Sequence, residues 1–203
     1  TIAGCERGAG DAPNFVMEYV EGRPLLEALG AGEYGIGEKV RLFLKICGAV
    51  EYAHANLVIH RDLKPQNVLV TAEGEPKLLD FGIGKILNEQ GEEAAMTLRR
   101  AFSVDYASPE QICGEMVSTL TDVYSLGLIL YEMMTGERAR RWSQLGLRQV
   151  LEEAGRFRLP EAGVGGELMA VLRKAVAMEP ELRYRSVGEL AGDLERCLEG
   201  RPV

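Results

Sequence analysis

Apolar and polar residues change period several times along the chain, and each change marks an element. Phe15-Val16-Met17-Glu18-Tyr19-Val20 is a short apolar run followed by Gly22 and Pro24, which reads as a strand ending in a turn. Between Glu38 and Ala55 the apolar positions Val40, Phe43, Cys47 and Val50, flanked by Leu42, Ile46 and Ala49, follow one helix face. A polar stretch from His60 to Asn67 leads into Val68-Leu69-Val70. The turn-forming residues Ala72 to Pro76 separate that run from Lys77-Leu78-Leu79, which predicts a hairpin. Residues 87–102 lack periodicity and carry Glu89, Glu92 and Glu93 ahead of Arg99-Arg100, as expected for a long irregular loop.

From Leu120 to Thr135 the chain is apolar almost all round and stops at Gly136, which predicts a helix buried at the centre of the fold. Three further helices are expected at about Gln144 to Ala154, Glu167 to Met178 and Val187 to Leu198. The last opens with Ser186 and Glu189 at capping-box spacing. The expected class is α+β, mostly helical, with one small β-hairpin and no internal repeat.

Composition narrows the function classes. With 46% hydrophobic and 27% charged residues the 203-residue chain is globular rather than disordered. The 23 basic and 31 acidic residues leave a net charge of −8, which argues against a nucleic-acid or anionic-membrane binder. Cys5, Cys47, Cys113 and Cys197 are far apart with no C-x-x-C pair, so reduced thiols and a cytoplasmic location are expected. The longest apolar stretch, from Tyr124 to Met134, falls short of the ~20 residues of a membrane span and contains Glu132. The first residues show neither an initiator Met nor a signal peptide, and the chain reads as part of something longer.

Candidate chemistry gathers at the hairpin. Asn67 opens its first strand and Asp80 closes the second, so antiparallel pairing brings both oxygen-bearing side chains to one end. Asp62 and Lys64 lie just upstream. Oxygen donors at one edge suit Mg²⁺, which takes one or two protein ligands and leaves the rest to water and phosphate. Each Asn or Asp taken singly is also an ordinary turn-former.

The full string His60-Arg61-Asp62-Leu63-Lys64-Pro65-Gln66-Asn67, followed after a hairpin by Asp80-Phe81-Gly82, resembles the catalytic and magnesium loops of eukaryotic-like (Hanks-type) serine/threonine protein kinases. Ala107-Ser108-Pro109-Glu110 is similar to the end of that family's activation segment, with Ser108 where Ala is more usual. Thr121 to Gly127 is similar to the start of its central helix, and Phe15 to Val20 to the hinge between its lobes. The resemblance implies a kinase-like large lobe over residues 25–203, preceded by the last small-lobe strand and hinge over 1–24. It implies ATP and Mg²⁺ as cofactors and protein Ser/Thr hydroxyls as substrate.

On the same resemblance, Asp62 accepts the substrate proton, Lys64 stabilises the transferring phosphoryl group, and Asn67 and Asp80 hold the metal. Met17, Glu18, Val20 and Leu69 surround adenine. Lys64 and Ser103 together point to the serine/threonine branch. Glu110 and Arg183 resemble an ion pair that anchors the activation segment; by residue type alone they would be a solvated pair. Asp122 braces the catalytic loop through backbone amides, or else caps a helix. His60 is a packed structural histidine, and His54 has no role beyond structure. Arg61 would pair with a phosphate of about two negative charges on the activation loop, with Thr97 the candidate phosphosite.

Gly30-Ala31-Gly32-Glu33-Tyr34-Gly35 matches G-x-G-x-x-G but follows the hinge-like segment and lacks a preceding strand, so it reads as a connection between two helices. Nothing upstream of Phe15 supplies a phosphate-covering loop or a strand lysine, so the chain on its own is expected to be inactive. The motif style is similar to bacterial kinases, many of which continue into a membrane helix and a sensor domain. The rival reading is a non-catalytic module that uses the large lobe as an interaction surface; the intact Asp62, Lys64, Asn67 and Asp80 weigh against it.

Overall fold

The computed structural model describes residues 2–7, 13–17, 19–30, 34–80 and 104–203, with side chains from residue 19 onward. Two strands open the chain, β1 (Ile2–Arg7) and β2 (Pro13–Met17), antiparallel with Cys5 opposite Phe15. A second sheet of three strands runs β3 (Arg23–Pro24), β4 (Val68–Val70), β5 (Pro76–Leu78), all antiparallel. The predicted hairpin is therefore present, and it gains an edge strand from the segment after the turn. Pro24 fits there because an edge position needs no ladder N–H. Gly22 has a close-approach reason as well: a Cβ would lie 3.0 Å from the Val70 carbonyl oxygen.

Helix α1 (Leu25–Gly30) leads to α2 (Ile36–Ala55), which starts two residues ahead of the predicted span. Its buried residues Val40, Phe43, Ile46, Cys47 and Val50 follow the expected face. A 3₁₀ turn (Pro65–Asn67) precedes β4, and α3 (Pro109–Cys113) is the next helix among the described residues. In α3, Ser108 and Gln111 cap each other's backbone, and Pro109 occupies the first turn.

The long helix α4 (Thr119–Thr135) ends at Gly136, whose left-handed φ of 75° favours glycine. Val123, Tyr124, Leu126, Leu128, Ile129 and Leu130 along it are buried, so the all-round apolar pattern reports the middle of the core. Helices α5 (Leu147–Ala154), α6 (Gly166–Ala175) and α7 (Val187–Leu198) follow, the last on the predicted boundaries. Two of the predicted helices shorten. Residues 142–144 form a separate 3₁₀ turn, and α6 stops at Ala175, where the chain turns toward Pro180.

Helix α2 packs on α7 and α4, and α4 on α6. Contact between α4 and α6 is close because Gly127 has no side chain: a Cβ there would come within 2.7 Å of Val176 and 2.9 Å of Ala175. The architecture is mostly helical with two small antiparallel sheets, the second of which holds the predicted hairpin.

Candidate active site

The polar stretch from His60 to Asn67 is held from below by one carboxylate. Asp122, fully buried in the first turn of α4, accepts the His60 amide at 2.8 Å through Oδ2 and the Arg61 amide at 2.9 Å through Oδ1. It does not cap α4; Ser118 does, accepting from the Leu120 amide. His54 Nε2 lies 2.7 Å from Asp122 Oδ2, where a carboxylate can only accept, so the imidazole donates. This gives His54 a part in the site that its position near a helix end did not signal.

Arg61 adopts a left-handed backbone with φ 65°, a conformation that costs a non-glycine residue about 1–3 kcal/mol. Two hydrogen bonds hold it. Asp122 takes its amide, and Gln111 Nε2 donates to its carbonyl at 2.7 Å. Gln111 belongs to α3, so that helix is tied directly to the loop that carries Asp62.

Beyond this strained peptide, Asp62 and Lys64 come together, with Nζ 3.0 Å from Oδ2. Asn67 donates through Nδ2 to the Asp62 carbonyl at 2.9 Å and reaches toward its carboxylate at 3.4 Å. The Asn67 carbonyl accepts from the Leu79 amide at 2.8 Å, while His60 Nε2 lies 2.9 Å from the Leu79 carbonyl oxygen. A carbonyl only accepts, so His60 carries its proton on Nε2. Burial lowers the His60 pKa, and the nearby Asp122 charge only partly offsets this, so the ring is buried neutral. Leu79 is thus gripped at both its amide and its carbonyl, and Asp80 follows at once, exposed and left-handed with φ 49°.

The donor set suits a hard cation. With its amide nitrogen spent on Asp62, Asn67 has its side-chain oxygen left for coordination, and Asp80 presents a carboxylate to solvent. Among the described residues no three His, Cys, Asp or Glu side chains cluster as a metal site.

Glu110 and Arg183 meet in the interior through two parallel bonds of 2.8 Å, and Thr121 adds a third to Glu110 at 2.9 Å. Burial would push the Glu110 carboxyl up, but the Arg183 bonds and charge outweigh it and hold it below the ordinary range. Both partners are buried, so this is not a solvated surface pair. Arg183 also donates to the carbonyls of Leu120, Ala177 and Met178.

On the strand side, Leu69 is half-buried between the buried Val68 and Val70, so it faces away from the core, and Val20 is also half-buried. Met17 ends β2. Glu18, Phe81, Gly82, Thr97 and Ser103 lie outside the described residues, as does the predicted irregular loop.

A cavity of about 380 Å³ opens beside Lys64 and Gln66, walled by Tyr106, Ile112, Trp142 and Leu147 among others. Beyond Lys64, the lining residues were given no role in the sequence reading. Tyr106 donates to Glu132 of α4, and burial together with that bond pushes its hydroxyl pKa up.

Asp62 and Lys64 thus lie on a strained, doubly held loop, and Asn67 and Asp80 flank the hairpin that follows. Residues 8–160 match the protein kinase domain, and the chain belongs to the protein kinase family. It is 35% identical over 94% of its length to a probable serine/threonine-protein kinase of Streptomyces coelicolor. It is 34% identical over 97% of its length to the serine/threonine-protein kinase PknB of Mycobacterium tuberculosis, and 37% identical over 93% to a probable serine/threonine-protein kinase of Clostridium perfringens. The chain spans 29%, 32% and 28% of those relatives respectively, about a third of their length. No helix among the described residues is long and apolar enough to cross a membrane.

Proposed function

We propose that this chain is the large-lobe part of a serine/threonine protein kinase domain that transfers the γ-phosphate of ATP to protein hydroxyls. Residues 1–24 serve as the last small-lobe strands and hinge, and 25–203 as the catalytic lobe. The observation that carries the reading is the pairing of Asp62 and Lys64 at 3.0 Å on a loop held by Asp122 and Gln111.

In this reading Asp62 accepts the proton of the substrate Ser or Thr hydroxyl as its oxygen attacks the γ-phosphorus. Lys64, within reach of the same point, neutralises charge on the equatorial phosphoryl oxygens. Asn67 and Asp80 hold Mg²⁺, which when bound screens the phosphate charge. The Asp122 and Gln111 bonds keep Asp62 in place, so the loop's strain is met before substrate arrives. Val20 and Leu69 border the adenine, and Arg61 receives a phosphate placed on the activation loop at Thr97.

The test is Mg-ATP-dependent transfer to a generic Ser/Thr substrate by the protein extended upstream, alongside the 203-residue chain and an Asp62→Asn variant. Loss of the general base should lower kcat by about 10²–10⁴-fold while leaving Mg-ATP binding intact. An extended protein that binds no Mg-ATP and transfers nothing would overturn the kinase reading in favour of a binding module.

A further inference from the structure

Ser108-Pro109-Glu110-Gln111 opens α3 with a capping box, and the box asks only for an acceptor on its last side chain. Glutamate would supply that acceptor and would also suit the positive end of a helix. The chain has glutamine, and the difference is one donor: a carboxylate only accepts, whereas a carboxamide accepts through its oxygen and donates through its nitrogen. Both ends of the Gln111 amide are in use. Oε1 accepts from the Ser108 amide at 3.1 Å, and Nε2 donates to the Arg61 carbonyl at 2.7 Å, 50 residues back in the chain. The Ser108 amide can only donate, so it fixes which end of the carboxamide faces Arg61. Gln111 is buried, which shields both bonds from competition by bulk water.

The Arg61 carbonyl belongs to the peptide group that ends at the Asp62 amide. Arg61 sits at φ 65°, where a non-glycine backbone is strained, and its own amide is held on the other side by Asp122 at 2.9 Å. Loss of the Gln111 bond removes a hold on the carbonyl side. A turn about the Arg61 Cα–C bond then relieves strain and carries the Asp62 side chain with it.

The far end of this link is fixed. Helix α3 has five residues, too few to stand alone, and Glu110 within it is pinned by two 2.8 Å bonds to the buried Arg183. Gln111 therefore passes the position of that anchor on to Asp62.

We propose that Gln111 is a positioning residue that makes the orientation of Asp62 conditional on α3: one side-chain amide closes the helix cap and holds the Arg61–Asp62 peptide, so the base is aimed only while the cap is closed. The inference rests on the kinase reading given above and adds to it a control of that same site.

The test uses the full-length protein and Gln111→Glu, which keeps the acceptor for the Ser108 amide and removes the donor to Arg61. Its kcat for transfer to a generic Ser/Thr substrate should fall about ten- to a hundredfold, as a displaced reacting group brings, with the KM for ATP and for the substrate changed less than about twofold. In an Asp62→Asn background the same substitution should cost less than about twofold, because no base remains to be aimed; a merely structural defect would multiply the two losses. Gln111→Met removes the donor without adding a charge, serves should the Glu variant fail to fold, and should show the same kcat loss and the same non-additivity. A kcat within twofold of wild type, or the full loss repeated on top of Asp62→Asn, would overturn the proposal. Should the wild-type protein transfer no phosphate, the kinase reading fails instead, and amide exchange decides the link. Gln111→Glu should then speed exchange over residues 60–63 about fivefold or more, and unchanged exchange there sinks it.

Discussion

Glu110 and Arg183 lie 73 residues apart and still form a two-bond pair in the interior. Removing one partner strands the other's charge, so Glu110→Gln should cost about 3–5 kcal/mol in urea unfolding. The folded carboxyl titrates below its ordinary value, so its stabilisation is complete above about pH 4.3 and is lost as pH falls through the folded value. That acid slope should flatten in Glu110→Gln. His60 acts in a higher window. Its folded pKa is lowered, the unfolded chain takes up the proton first at about pH 6.5, and stability declines as pH falls below that point. Unfolding of His60→Gln between pH 7 and 5 should lack that decline. Leu57 is 95% exposed in a left-handed conformation with φ 61°, so Leu57→Gly should gain about 1 kcal/mol. At this scale the sequence was legible where the resemblance implied a contact, as for Asp122 on the His60 and Arg61 amides and for Glu110 with Arg183. It was illegible for His54 and Gln111, whose partners lie 68 and 50 residues away.

Among the elements, α4 was readable because a helix apolar on every side has nowhere to go but the core. The same pattern hid the reason for Gly127, since close approach to α6 is a fact about another element. Gly127→Ala should cost about 1–3 kcal/mol by overpacking against Ala175 and Val176, seen as a lowered Tm with native helix content retained. Strands β1 and β3 were not predicted. A run such as Ile2-Ala3-Gly4-Cys5-Glu6-Arg7 alternates weakly, and a two-residue edge strand such as Arg23–Pro24 is defined by its partner and not by its own pattern. Helix α3 is only five residues long and owes its existence to the Ser108–Gln111 caps and to its ties with the loop below.

Across the whole molecule, two apolar clusters differ in size. The large one runs through α2, α4, α6 and α7, whereas the smaller joins Ala107, Ile112, Trp142, Val150 and Ala154. Regions with fewer buried apolar contacts open at lower free energy. Amides of α5 should therefore exchange with solvent ahead of those in α4, and exchange mass spectrometry reads this directly. The kinase-like lobe was legible as a class from periodicity and motifs together.

The carboxylate of Asp122 supports a loop that precedes it by about sixty residues, and Arg183 secures Glu110 from still further on. A ribosome delivers these in the opposite order, at about 5–20 residues per second. Asp62 and Asn67 thus emerge with nothing to shape them, and roughly ten seconds separate them from Arg183 at such rates. A nascent chain paused between Asp80 and Gln111 carries Asp62, Lys64, Asn67 and Asp80 without the side chains that hold their loop, so the loop takes its shape with the synthesis of α3 and α4 rather than with synthesis of the motif itself.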